Sequence, residues 1–300
     1  MICNRMMNKD TRSRLGLAFL IGLLTFFLEL SGGLISRSLA LITDSFHVLM
    51  DVAAIGLSYL AIFLAAKGSK ESWSYGFHRA EILASLANGI GLLFISAFVF
   101  LEALKRAISP PEIKSMTMMA IASIGFMTNF IMAIVLREGD KGRDLCLRSA
   151  YLHVLGDMAS SGGVIMVSIL IRITGKRIFD PLVSIAISSV IAFGSIRICW
   201  ESIRILMEAV PKGIALRDVV EEIESTRGVI SAHKVHIWSL CSNINILSAH
   251  LVIDEGYIGR EREIVREVEG KMKDKFGINH MTLQLHCFCE DKPVMTELSH

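Results

Sequence analysis

The chain has 300 residues, of which 52% are hydrophobic, and its formal net charge is only +2. Its mean hydropathy of +0.53 is high, since soluble domains are only about 45–50% apolar. The apolar residues concentrate in the first two thirds of the chain, which predicts a membrane domain followed by a soluble tail. The nearly balanced charge gives no reason to expect a nucleic-acid partner.

The start of the chain reads as a short cytoplasmic segment. Residues 1–14 are polar and basic and lack the cleavage pattern of a secretory signal peptide, so we expect the first apolar run to be retained as an anchor. The six cysteines are scattered and lack the spacing of a disulfide framework. This scatter favours a reducing compartment for the aqueous part.

Six apolar runs reach the roughly 20 residues that a helix needs to cross a bilayer. They cover about 15–35, 40–66, 82–107, 116–136, 147–173 and 181–205, and short connections join them. An even number of spans puts both termini on one side. Basic residues are more frequent on that side, so we expect both termini in the cytoplasm of a cell that carries the protein in its inner or plasma membrane. The predicted fold is a six-helix transmembrane bundle over 15–208.

The pattern changes after Pro211, where amphipathic helices and β-branched stretches replace the long apolar runs. Helices are predicted at 214–226 and 260–276, and strands at 229–239, 245–254 and 280–288. The order α-β-β-α-β suggests a cytoplasmic α+β domain of the split-βαβ kind over 209–290, with a flexible tail at 291–300. So short a domain would gain stability by pairing with a second copy.

One short pattern, His-x-x-x-Asp, occurs twice inside the apolar runs, first at His47 and Asp51 and then at His153 and Asp157. Residues four apart share one face of a helix, so each pattern directs an imidazole and a carboxylate to the same place. Two such helices side by side would form a His2Asp2 cage suited to tetrahedral Zn²⁺. Ionisable groups within a membrane usually mark a transport path.

Other polar residues lie near these patterns or in the other spans. Asp44, one turn before His47, is open to three interpretations: support for a ligand, a proton relay, or a position near the water interface. Hydrogen bonds between helices or snorkelling would explain Glu29, Asn88, Glu102, Asn129 and Asp180. Small residues at 160–163 would allow close helix approach and need no chemical role.

Several segments resemble the cation diffusion facilitator family. Residues 38–51 resemble its second membrane helix, 75–84 the entry to its third, and 153–157 its fifth, while 233–240 and 247–251 resemble its cytoplasmic domain. The similarity extends from about residue 15 to 290. A His-x-x-x-Asp pattern on both helices resembles the zinc-transporting branch, which includes bacterial zinc/cadmium/cobalt resistance exporters.

The resemblance implies a homodimer that exports Zn²⁺ in exchange for protons by alternating access, with a cytosolic domain like a metallochaperone. It also implies that His233, His250 and His286 form a regulatory metal site in that domain. Arg79 and Glu208 match positions at which relatives hold the two membrane halves together by an ionic interlock between protomers. A surface salt bridge is the competing interpretation of that last pair, and surface pairs contribute little.

Three more residues near the tail histidines have open roles. Cys287 and Cys289 would add soft sulfur donors, or they are buried cysteines at the end of a strand. His236 lies three residues after His233, and in a regular strand the two would point to opposite faces. We therefore expect that a regular strand would not bring both to one ion.

Ligand chemistry supports proton exchange independently of the resemblance. An imidazole must be neutral and a carboxylate ionised to bind Zn²⁺, so metal entry displaces protons and proton entry expels metal. Histidine titrates near physiological pH, which would let a modest pH difference drive the exchange. Protonation of His47 or His153 on the outer side would then release the ion.

Three other functions would also fit parts of this sequence. An intramembrane metallohydrolase would need an open coordination position and a general base, and the sequence contains no His-Glu-x-x-His. A zinc sensor or scaffold would carry the same paired motif, and only flux across a membrane separates it from a transporter. An exporter of Cd²⁺, Co²⁺, Ni²⁺ or Fe²⁺ is the third, because affinity order alone does not decide which metal is moved.

Overall fold

The structure is a computed structural model in which residues 9–65, 73–139, 145–241 and 244–287 are described. Within these ranges the described side chains exclude those of 9–18, 54, 55, 57–65, 135–139, 145–153 and 287. The chain divides into two compact units, Met1–Trp200 and Glu201–His300. We call them the membrane unit and the C-terminal unit.

Six long helices account for the membrane unit, and they follow the six predicted apolar runs. They are α1 (Lys9–Ser36), α2 (Leu39–Ala65), α3 (Ala80–Ile108), α4 (Ser115–Gly139), α5 (Leu145–Thr174) and α6 (Phe179–Leu206), the last of which ends in the C-terminal unit. Among the described residues, every one of these except α2 is long and apolar enough by composition to cross a membrane. The α2 helix has 27 residues and occupies the place of the second predicted span.

The interior of the membrane unit is formed by small and branched side chains. One buried cluster joins α2, α4 and α5 through Leu41, Met118 and Val167. The outward surface carries large apolar side chains such as Leu24, Phe94, Phe98 and Val190. In water this surface would be unfavourable, whereas lipid tails solvate it, so the unit is built as a multi-pass membrane protein.

The first turn of α2 is held by a carboxylate from another helix. Asp180, at the start of α6, accepts hydrogen bonds from Ser38 Oγ at 2.5 Å, from the Leu39 amide at 2.9 Å and from the Ala40 amide at 3.3 Å. The first amides of a helix have no partners within the helix itself. Asp180 is completely buried and therefore supplies partners that water does not.

The C-terminal unit combines a three-stranded sheet with two helices. Its elements are α7 (Leu216–Glu224), β1 (Val229–Cys241), β2 (Ile244–Ile253), a 3-10 turn (Glu255–Tyr257), α8 (Glu261–Phe276) and β3 (Ile278–Cys287). The sheet order is β1-β2-β3, antiparallel between β1 and β2 and parallel between β2 and β3. Leu247, Leu251 and Ile253 of β2 pack with Val219 of α7 and Val268 of α8 in one core.

The predicted helix and strand order of the C-terminal unit is confirmed, but its topology differs in one respect. In a split-βαβ unit another strand lies between the two parallel strands. Here β2 and β3 are direct neighbours, so α8 makes an ordinary βαβ crossover. Helix α8 can make this crossover because Ile264, Val268 and Met272, spaced four residues apart, form one apolar stripe that covers the sheet.

Candidate metal centre

Helix α2 presents His47 and Asp51 on one face, as the four-residue spacing predicts. His47 Nε2 lies 3.9 Å from Asp51 Oδ2. Both side chains are 26% exposed, so they sit in a partly accessible position and not in a sealed core. An ion that reached this place would meet an imidazole and a carboxylate from a single turn of helix.

Helix α5 brings Asp157 to the same place. Asp157 Oδ1 lies 3.4 Å from His47 Nε2, and its side chain is 13% exposed. One ligand atom of each of these three residues lies within 4.8 Å of the other two. Among the described side chains this is the only group of three or more histidines, cysteines or acids so close together.

The spacing of these atoms suits a small divalent cation. Ligand atoms about 2.0–2.2 Å from a tetrahedral zinc ion lie about 3.4 Å from one another. The 3.4 Å and 3.9 Å separations therefore need only small side-chain movements to close on an ion. A nitrogen and carboxylate oxygens form a donor set that suits zinc and related first-row metals.

The fourth predicted ligand, His153, belongs to α5 one turn before Asp157. Its side chain lies outside the described ones. The structure thus brings together three of the four predicted ligands, and the fourth is on the helix face that the prediction requires. The complete His2Asp2 cage stays a prediction.

Asp44 lies one turn before His47 and is only 2% exposed, so it does not lie at a water interface. It accepts hydrogen bonds from Ser160 Oγ at 2.5 Å and from Ser161 Oγ at 3.0 Å. Both serines follow Asp157 by one turn on α5. The prediction that they serve only close packing was incomplete, because they also fix the register of α2 against α5.

Glu29 is a second residue whose interpretation changes. Its side chain is 0% exposed, so it does not snorkel to water. Neither carboxyl oxygen has a hydrogen-bond partner among the described residues. The same holds for Nδ2 of Asn129 on α4. Hydrogen bonding between helices therefore explains neither of these two groups in this conformation.

In the C-terminal unit the three predicted metal-binding histidines occupy three adjacent strands. His233 on β1 is paired in register with His250 on β2. His250 Nδ1 lies 3.2 Å from His286 Nε2 on β3, and their rings stack with centroids 5.4 Å apart. The structure thus brings His250 and His286 together and aligns His233 beside them, where it contacts Ser231 Oγ at 2.9 Å.

The strand β1 is irregular between His233 and His236. Lys234 has a left-handed φ of +49°, and the register shifts at this point. His233 pairs with His250, while His236 pairs with Ser248, two residues away on the same face of β2. The expectation of opposite faces holds for a regular strand, and it does not apply here because a β-bulge adds a residue and resets the alternation. His236 therefore shares the face of the predicted metal site.

The structure gives only the backbone position, or no position, for the two predicted cysteine donors, and it places the two residues of the predicted interlock next to helix ends. Cys287 is the last residue of β3, with its side chain outside the described ones, and Cys289 lies outside the described residues altogether. Arg79 directly precedes α3, and Glu208 follows α6 with a left-handed φ of +57°. The interlock between protomers that involves these two residues stays a prediction.

Comparison with known families gives two matches that together cover most of the chain. The family described as "Cation efflux transmembrane domain" matches residues 15–207. The family described as "Cation efflux protein, cytoplasmic domain" matches residues 211–286.

Individual relatives span several kinds of organism. The "Cadmium, cobalt and zinc/H(+)-K(+) antiporter" of Bacillus subtilis is 37% identical over 260 residues, which cover 86% of this chain and 83% of that protein. The "Metal cation efflux system protein CzcD" of Cupriavidus metallidurans is 34% identical and covers 85% of this chain and 80% of that protein. The human "Probable proton-coupled zinc antiporter SLC30A4" is 29% identical, and the match covers 94% of this chain and 72% of that protein.

One solved structure also matches, the "Metal-bound C-terminal domain of the CzcD transporter from Cuprividus metallidurans". It is 37% identical, covers 24% of this chain and 99% of that chain, and gives a TM-score of 0.23.

Proposed function

Because the chain belongs to the cation efflux family, whose members are transporters and not enzymes, we propose that it exports Zn²⁺ in exchange for protons. The observation that carries the proposal is the cluster of His47, Asp51 and Asp157 between two membrane helices. With His153 it would form a His2Asp2 site within the membrane. Relatives whose names include zinc and H⁺ support both halves of the exchange.

Coupling to protons follows from the ligand types. The imidazole of His47 binds metal only when neutral, and the carboxylates of Asp51 and Asp157 bind it only when ionised. Metal and protons therefore compete for the same three side chains. A rocking of α2 and α5 relative to their neighbours would expose the cluster first to the cytoplasm and then to the outside.

The C-terminal unit fits a regulatory role in this scheme. His233, His250 and His286 would bind a second zinc ion on the open face of the sheet, with Cys287 and Cys289 as further donors. The face opposite the helices would carry this site. We propose that the protein is a homodimer with both termini in the cytoplasm, and that Arg79 and Glu208 form the interlock between protomers.

The proposal divides the chain into four parts. Residues 1–14 form the cytoplasmic N-terminal segment, and 15–208 the transmembrane domain. Residues 209–290 form the metal-binding and dimerisation domain, and 291–300 the tail. The Lys212–Glu201 ion pair and the hydrogen bond from Arg204 to the Val210 carbonyl tie the segment after α6 to the end of that helix. These contacts support a short, ordered connection near 209.

Zinc accumulation in cells tests the function. Expression of the wild-type chain in a zinc-sensitive bacterial host should raise zinc tolerance and lower cell zinc, while Asp157→Ala should do neither. The matched control is Glu112→Ala, which breaks an exposed ion pair with Arg177 and should behave like the wild type. A wild-type protein that raises cell zinc while binding it would indicate a sensor or scaffold. Lower cell Cd²⁺, Co²⁺, Ni²⁺ or Fe²⁺ with unchanged zinc would identify another substrate.

A further inference from the structure

Glu29 is a completely buried acid of the membrane unit that the metal site does not use. Helix α1, which carries it, supplies none of the four ligands. Its side chain is 0% exposed, and both carboxyl oxygens lack a hydrogen-bond partner among the described residues. Buried polar groups are almost always paired, so this carboxyl group requires an explanation.

The space around Glu29 is closed by α4. A Cβ atom at Gly125 would overlap Glu29 Oε1, so the glycine leaves room for the carboxyl group where it lies in this conformation. Asn129 lies one turn further along the same face of α4, and its Nδ2 atom is buried without a partner among the described residues. Two buried polar groups without a described partner thus lie along this face of α4, Glu29 beside Gly125 and Asn129 one turn further on.

The charged groups that act on Glu29 come from two other helices. They are the carboxyl groups of Asp44 and Asp157 and the imidazole of His47. Helix α4 has no ionisable residue before Arg137. An ionised Glu29, itself completely buried, would therefore add a negative charge beside two further carboxyl groups and a single imidazole, which is a costly arrangement.

We propose that Glu29 binds and releases a proton that is exchanged for the metal ion, in addition to any proton carried by the ligands themselves. In the conformation described here its carboxyl group is protonated, which removes the uncompensated charge. A divalent cation that binds among His47, Asp51 and Asp157 adds positive charge near Glu29 and so favours the ionised form of its carboxyl group. Metal binding and protonation of Glu29 then oppose each other, and this opposition is a coupling free energy in both directions.

The proton step is balanced without any further reactant. When the metal is bound, the O–H bond of Glu29 breaks, its electron pair stays on the carboxylate, and the proton passes to water on the side from which the metal came. After the metal has left on the other side, the carboxylate takes a proton from water there. One proton thus moves opposite to each metal ion through a residue that never ligates it.

This inference rests on the proposed antiport. Experiments on the reconstituted full-length protein test the role of Glu29 and the antiport separately. Two fluxes are measured in proteoliposomes: net zinc uptake driven by a pH gradient, and exchange of radiolabelled for unlabelled zinc without a gradient. Glu29→Gln keeps the size of the side chain and fixes it neutral. We expect net uptake to fall at least about tenfold, while exchange at saturating zinc stays within about twofold of the wild type.

Two matched variants accompany it. Glu29→Asp keeps a titratable group and should retain part of the net uptake. Glu102→Gln removes a partly exposed acid that pairs with Arg106 at 3.1 Å, and it should leave both fluxes unchanged. Net uptake in Glu29→Gln equal to the wild type would overturn the inference. Loss of both fluxes in a folded Glu29→Gln protein would also overturn it, because it would assign Glu29 to binding or structure.

A wild type that shows no net uptake would instead refute the proposed antiport. Infrared difference spectroscopy gives a second readout that requires no transport. Addition of zinc to the wild type should remove a carbonyl band of a protonated carboxylic acid, and this band should shift in Glu29→Asp. A band that is unchanged in position in Glu29→Asp would contradict the assignment, even if Glu29→Gln fails to fold.

Discussion

At the scale of single residues, the metal cluster depends on side chains that do not themselves touch the ion. Asp44 accepts hydrogen bonds from Ser160 and Ser161, so it ties the turn before His47 to the turn after Asp157. Helices α2 and α5 run in opposite directions. The hydrogen bonds of Asp44 therefore lie one turn away from His47 and Asp157 along the contact between the two helices. The distance between His47 and Asp157 is therefore set in part by Asp44.

The first prediction concerns this support. Asp44→Asn should weaken zinc binding at the transport site about tenfold, because loss of a group that orients ligands typically has an effect of this order. Ser160→Ala removes one of the two hydrogen bonds and should have a smaller effect in the same direction. Equilibrium zinc titration of the purified protein measures both. An affinity in Asp44→Asn equal to that of the wild type would show that the serine contacts do not position His47.

The second prediction concerns pH and the tail histidines. Desolvation, the positive charge of Lys234 and the nearby imidazoles of His286, His233 and His236 lower the pKa of His250 from its ordinary value of 6.5. His250 is thus neutral at pH 7, the form that binds zinc. Because the pKa of His250 is lower in the folded protein than in the unfolded chain, protonation of His250 favours unfolding. The fold is therefore not weakened by this residue above about pH 6.5, and it loses stability as the pH falls from there towards the pKa of the folded state.

Zinc titration checks this sign. In an Asp157→Ala background, which isolates the tail site, zinc binding should be strong near pH 7.5 and should weaken well below about pH 6.5. His250→Ala in the same background should lose most of the binding at both values. Tail binding that is equally strong near pH 5.5 would contradict a histidine site.

At the scale of elements, the placement of α2 depends on a helix far away in sequence. Asp180 of α6 satisfies the amides of Leu39 and Ala40 and the hydroxyl of Ser38. The ends of α2 and α6 are therefore linked on the side of the membrane unit where both helices begin.

The third prediction is that Asp180→Ala destabilises the protein by about 1–3 kcal/mol, the usual effect of leaving buried donors without an acceptor. Asp180→Asn keeps one acceptor and should have a smaller effect. Thermal unfolding in detergent measures the difference. An unchanged midpoint for Asp180→Ala would show that water or another group takes over the amides of α2.

These elements differ in how far the sequence predicts them. Apolar runs predict the six long helices because a helix satisfies its backbone internally within a bilayer. The four-residue spacing predicts that His47 and Asp51 share a face and leads to their contact with Asp157. The bulge at Lys234 is not predictable in this way, because lysine has no preference for a left-handed φ. Its position follows from the packing of β1 against β2.

The roles of Ser160, Ser161 and Glu29 also exceed what the sequence predicts. The two serines read as small packing residues, although their spacing from Asp157 mirrors that of Asp44 from His47. Whether Glu29 faces lipid, water or protein depends on how α1 is rotated about its axis, which a uniformly apolar helix leaves undetermined. The burial of the side chain and its position beside Gly125 show that the carboxyl group points inward.

At the scale of the whole molecule, the chain combines a lipid-facing bundle with a water-facing α+β unit. The bundle exposes large apolar side chains and brings His47, Asp51 and Asp157 together at the contact of α2 and α5. The C-terminal unit has its own core and carries a face rich in histidine. This division fits a transporter in which the ion path and a metal-sensing surface are separate structures.

The central claim is that the cluster of His47, Asp51 and Asp157 carries a metal ion across the membrane in exchange for protons. Its most direct test is zinc uptake into proteoliposomes under an imposed pH gradient, with internal zinc and internal pH recorded together. The wild type should take up zinc while protons leave, and Asp157→Ala should do neither although it folds and dimerises. Zinc uptake by Asp157→Ala at the wild-type rate, or zinc bound by the wild type without any flux, would contradict the account.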